Sequence, residues 1–167
     1  MRSWLAGGLS GLGVLLAAPL DAATTSSFMV TAQIVAGCLV VGGVSNYGTL
    51  NYGTQSALAT GVLGTSLGGT TVTFQCTPGV ALSMSVDGGQ NSSSGTRNLK
   101  RTGGTQVLAY QLYRDAAYSQ SLGIGQSVAV SYTDPTAIKL PVYGRLQLSG
   151  TLPAGTYTDV VQVTVTW

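Results

Sequence analysis

The last eleven residues, 157–167, constrain this chain most. Val161, Val163, Val165 and Trp167 fall on one side of an extended backbone, and Gln162, Thr164 and Thr166 fall on the other. That is the period of a β-strand, whose successive side chains point to opposite faces. An apolar face this continuous needs a sheet to bury it, so the segment is read as one strand running to Trp167.

The same period recurs upstream. In residues 28–35 one face carries Phe28, Val30, Ala32 and Ile34, and the other carries the half-polar set Met29, Thr31, Gln33 and Val35. Val72, Phe74 and Cys76 alternate with Thr73 and Gln75, and Leu82, Met84 and Val86 alternate with Ser83 and Ser85. Leu108, Tyr110 and Leu112 line one side of residues 107–114, and residues 127–132 and 137–148 continue the series. Asp87-Gly88-Gly89 and Pro153-Ala154-Gly155 read as turns, and Pro135 and Pro141 suit turns or strand edges, where no ladder donor is needed. No stretch has a helical period of useful length. Short strands separated by turn residues predict an all-β sandwich.

The first 23 residues read as a leader that is removed. Arg2 is the sole charge before Asp21, an apolar run follows it, and Pro19 and the small residues Ala22 and Ala23 suit signal-peptidase cleavage after either alanine. The run is diluted by glycine and short for a bilayer span of about 20 residues. The expectation is an exported mature chain of about 145 residues, enough for one domain with its own core.

Composition narrows the chemistry. The chain has 24 glycines, only 7% charged residues and a net charge of +2, too little to argue for nucleic acid or a membrane surface. It contains no His, and all five acidic residues are Asp, so the commonest general base and metal ligand is missing. Asp87 and Asp134 precede Gly and Pro and are explained by turn geometry. No serine lies in a G-x-S-x-G context, and a Ser–Lys dyad with Lys100 or Lys139 has only counting in its favour. No catalytic residue, metal ligand or cofactor is therefore expected. Arg97, Lys100 and Arg101 read as a solvated edge or turn. The tyrosines read as rings packed inward with hydroxyls in water.

Cys38 and Cys76 fit an oxidising compartment, and joining them would close a loop of about 39 residues, stabilising by roughly 3.5–4 kcal/mol in the chain-entropy model. Val35-Ala36-Gly37-Cys38 also has the local look of a lipoprotein box, but Thr31 and Gln33 interrupt the apolar run before it, and lipidation would leave Cys76 a free thiol. The disulfide is the expectation.

The alternating segment that leads into Cys38 is followed by Val72-x-Phe74-x-Cys76-Thr77, Asp87-x-Gly89, Arg97-x-Leu99 and Leu108-x-Tyr110-x-Leu112-Tyr113-x-Asp115. Then come Val142-Tyr143-Gly144-Arg145 and the ending from Pro153 through Tyr157 and Asp159 to Trp167. In this order and spacing the chain resembles the spore coat protein U domain family, which includes pilins of archaic chaperone–usher pili. The resemblance implies an incomplete immunoglobulin-like sandwich, completed by donor-strand exchange. A periplasmic chaperone lends the missing strand, and an outer-membrane usher replaces it with the N-terminal segment of the next subunit.

Carried onto this chain, the resemblance makes residues 24–37 the donor strand and residues 38–167 the pilin domain. Phe28, Val30, Ala32 and Ile34 would be the inserted side chains, with Ala32 entering a pocket that is shallow or contacted by a larger neighbour. Val161, Val163, Val165 and Trp167 would flank the groove, Ala36-Gly37 would form the hinge, and the terminal carboxylate would anchor the chaperone. The partners implied are neighbouring subunits, chaperone and usher. The expected location is the periplasm during assembly and then an extracellular fibre, supporting adhesion or biofilm formation. The rival reading is a secreted coat or carbohydrate-binding sandwich that does not polymerise.

Overall fold

The computed structural model describes residues 27–43, 46–67 and 72–167. The expected leader, residues 1–23, and the first residues of the expected donor segment lie outside these. The chain divides into two units, one ending at Ile34 and the other spanning Val35–Trp167.

Among the described residues the larger unit is all-β, apart from a 3-10 turn at Val41–Gly43. β1 (Cys38–Val40) pairs antiparallel with β3 (Phe74–Cys76), and the Cys38–Cys76 disulfide joins two residues that face each other in this ladder, their Cα atoms 4.0 Å apart. A five-stranded sheet has the order β2 (Thr60–Leu67), β8 (Val142–Ser149), β6 (Val107–Tyr113), β5 (Arg97–Arg101), β9 (Tyr157–Thr158). A three-stranded sheet has the order β10 (Val163–Thr166), β4 (Leu82–Val86), β7 (Val128–Val130). Every strand pair in both sheets is antiparallel.

The core lies where the inward faces of these strands meet. Leu82, Met84 and Val86 of β4, Tyr110 and Leu112 of β6, and Val142, Leu146 and Leu148 of β8 are all buried. Their spacing is the two-residue period read from the sequence. Leu122, Ile138 and Leu140 plug the same core from irregular segments and are among its most buried side chains. Gly144 completes the inward row of β8 because a Cβ there would collide with the Tyr52 hydroxyl. Asp87 makes the expected turn, its Oδ1 accepting from Gly89 N at 2.9 Å while Gly89 takes a φ of +78°.

Four expectations change. Residues 157–167 are not one strand: β9 belongs to the five-stranded sheet and β10 to the three-stranded one, so the chain crosses between sheets at residues 159–162. Residues 137–148 are likewise divided, because Pro141 offers no ladder donor and the strand starts at Val142. Ile138 makes only an isolated bridge to Phe74. Arg97 is no solvated edge: it is 4% exposed and lies in β5, between β6 and β9. Finally, most tyrosine hydroxyls that pack inward bond to protein, as Tyr47 does to the Leu140 carbonyl and Tyr110 to Asp159.

Candidate functional site: an open groove beside β10

β10 hydrogen-bonds β4 on one side, and among the described strands none pairs with its other edge. A row of backbone donors and acceptors is therefore left along Val163–Thr166. Next to it opens a cavity of about 580 Å³. Its floor is apolar, built by Leu67, Val86, Leu99, Leu112 and Val142 from five different strands. One wall is the segment carrying Tyr47, Leu50 and Tyr52, and the other is the chain from Asp159 to Thr164. An unpaired strand edge beside an apolar trough is the geometry that accepts one more strand, its backbone completing the ladder and alternate side chains entering the trough.

The wall from Asp159 to Thr164 holds part of the expected flanking set. Val161 and Val163 line the cavity, and Val165 packs on the core further along β10; all three are only half-buried. Trp167 lies beyond the end of β10 and is 59% exposed. Its ring nitrogen comes within 3.7 Å of where a Cβ on Gly37 would lie. Gly37 is fastened to the body by Thr77, whose backbone N–H donates to the Gly37 carbonyl at 2.9 Å and whose hydroxyl accepts from Gly37 N at 3.3 Å. The expected hinge at Ala36-Gly37 thus has its second residue held in the body.

The proposed inserted side chains are presented to solvent. Phe28, Val30 and Ile34 are 86%, 80% and 94% exposed, Ala32 is exposed as well, and residues 27–37 form no strand. A strand has no hydrogen bonds of its own, so an alternating segment without a partner edge stays irregular.

A polar cluster, largely missed by the sequence reading, meets the cavity through Tyr110 and Asp159. The Arg97 guanidinium donates to the carbonyls of Asp87 at 2.7 Å, Leu122 at 2.6 Å, and Val86 at 2.8 Å. Burial lowers its pKa, while Tyr110, Asp87 and Asp159 pull it back up. Asp159 Oδ2 accepts from the Tyr110 hydroxyl at 2.7 Å, and its Oδ1 accepts from Asn91 Nδ2 at 2.9 Å and Asn91 N at 3.1 Å. Burial, then the bond to Asp159, drive the Tyr110 pKa well above the usual phenol range. Burial does the same to Tyr47 and Tyr52 on the opposite wall. The signal that could have drawn attention to Asp159 is its place inside the apolar C-terminal run. Among the described residues no group of His, Cys, Asp or Glu is arranged to hold a metal ion.

The family model for the Spore Coat Protein U domain matches residues 24–164. No curated protein sequence matches this one. Among solved structures, the chain is similar to one in the CsuC–CsuE chaperone–tip adhesion subunit pre-assembly complex from archaic chaperone–usher Csu pili of Acinetobacter baumannii, with 15% identity and a TM-score of 0.49 over 80% of this chain and 40% of that one. It is also similar to a chain in a chaperone–tip adhesin complex of CFA/I fimbriae biogenesis, with 19% identity and a TM-score of 0.47 over 78% of this chain and 41% of that one. The chain thus spans about two fifths of the length of either solved chain.

Proposed function

The chain belongs to the spore coat protein U domain family, and from that membership we propose that it is a structural subunit of a secreted bacterial surface pilus. Subunits join through donor-strand complementation along a chaperone–usher route. The observation that carries this reading is the open apolar cavity beside the unpaired edge of β10. A groove of this kind exposes core and backbone together, which invites aggregation unless a strand fills it.

The filling strand is the N-terminal segment of the next subunit. Phe28, Val30 and Ile34 stand exposed in this chain, and burying each in a neighbour would stabilise the joint by about 1.5–3 kcal/mol. Ala32 takes the shallow position between Val30 and Ile34. Before assembly a periplasmic chaperone occupies the same edge, and an outer-membrane usher exchanges it. The product is an extracellular fibre serving adhesion or biofilm formation, a structural role with no reaction to catalyse.

Val30→Asp tests the donor role, because it places a charge in an apolar trough while leaving residues 38–167 unaltered. Fibre yield should fall sharply, with the melting temperature of the subunit body unchanged. A normal yield of fibres from this variant counts against the donor assignment.

A further inference from the structure

We infer that residues 159–162 are an end-stop that sets the register of the strand received along β10, and that Asp159 is the positioning residue that holds the stop in place. This rests on the donor-strand reading and adds to it a reason why the incoming strand settles at one position. Register matters because side chains alternate: a slip of one residue turns the apolar set away from the trough, and a slip of two seats the wrong side chains in each pocket. Within the donor face Phe28, Val30, Ala32 and Ile34, the small Ala32 is the main feature that opposes a two-residue slip, and the acceptor adds a second.

The acceptor has a feature that also discriminates. β10 begins at Val163, opposite Val86, and β9 ends at Thr158, opposite Lys100 in the other sheet. Between them four residues carry the chain from one sheet to the other, and all four line the cavity. A strand extending along β10 past Val163 meets a backbone that is leaving the sheet.

The crossover is tied down along its length. Asp159 grips Asn91 and Tyr110, and the Val160 carbonyl accepts from Gln90 N at 3.1 Å. Gln162 is held both ways by Asp87, its N–H donating to Oδ1 at 2.9 Å and its carbonyl accepting from Asp87 N at 3.0 Å. Gly89, at a φ of +78°, leaves the space the Asp159 carboxylate fills, since a Cβ there would overlap it. Arg97 fixes the other half of the clip through the carbonyls of Val86 and Asp87.

Inter-subunit cross-linking in fibres of the full chain reads the register directly. Thr164→Cys is combined in turn with Met29→Cys, Thr31→Cys or Gln33→Cys, which lie two residues apart on one face of the donor. The native cysteines are already paired with each other, so a new disulfide reports only the joint. With Asp159 intact, one of the three positions should dominate. Asp159→Ala should raise cross-linking at the adjacent positions several-fold, and Asp159→Asn, whose amide still meets both Asn91 and Tyr110, should restore the single pattern. Should Asp159→Ala fail to fold, Tyr110→Phe removes one tie only and should give the same redistribution to a smaller extent. An unchanged single pattern in the folded variant overturns the end-stop. Absence of cross-links at all three positions with Asp159 intact overturns the donor-strand reading, and the end-stop with it.

Discussion

Arg97 puts a permanent charge into the interior at 4% exposure, and its hydrogen bonds among the described residues go to backbone carbonyls. Such a guanidinium works as a polar bolt, joining the end of β4 to the segment after Leu122. Arg97→Met should destabilise the body by about 3 kcal/mol, because buried acceptors left without donors cost ~1–3 kcal/mol each; chemical denaturation followed by far-ultraviolet circular dichroism measures this. The tyrosines of the groove make a second prediction. Burial raises the pKa of Tyr110, Tyr47 and Tyr52 above the ordinary 10.0. Below pH 10 the folded and unfolded chains hold these protons equally, and the full stabilisation is present. Above it the unfolded chain releases them first, so stability falls as pH rises toward the native values. Denaturation midpoints should be flat approaching pH 10 and decline beyond it, with a shallower decline in Tyr110→Phe.

At the scale of elements, the two-residue period made β4, β6 and the larger part of β8 legible, since their inward faces read Leu82-Met84-Val86, Leu108-Tyr110-Leu112 and Val142 to Leu148. β2 and β5 were not legible. Gly61 and Gly64 dilute β2, and Gly64 is glycine because the Tyr118 hydroxyl occupies the place of its side chain. Arg97, Lys100 and Arg101 of β5 read as a solvated edge or turn, because only the folded structure supplies the carbonyls that satisfy Arg97. The sheet change inside residues 157–167 was hidden for a related reason: alternation continues through the crossover, and the ties that bend it come from Asp87, Gln90 and Asn91, far away in sequence. The pairing of β1 with β3 makes its own prediction. Cys38 and Cys76 fasten two three-residue strands that would be marginal alone. Replacing both by serine should cost about 3.5–4 kcal/mol in the chain-entropy model, seen as a lower denaturation midpoint that matches the reduced native chain.

At the largest scale, the unit spanning Val35–Trp167 is a sandwich with an open seam. The five-stranded sheet covers one side of the core, and the three-stranded sheet ends at β10, where the backbone is unpaired and the floor of the trough shows through. Valines 161, 163 and 165 pack on the core and yet remain half-buried, as expected of residues whose remaining cover comes from another chain. In the donor-strand reading the domain is one strand short. Thermal melting in oxidising buffer tests it most directly, comparing residues 38–167 alone with the same body carrying residues 27–36 on a short linker after Trp167. The extended form should be a monomer with a much higher melting temperature. Two stable monomers melting alike would mean that the sandwich is already complete, and would contradict that reading.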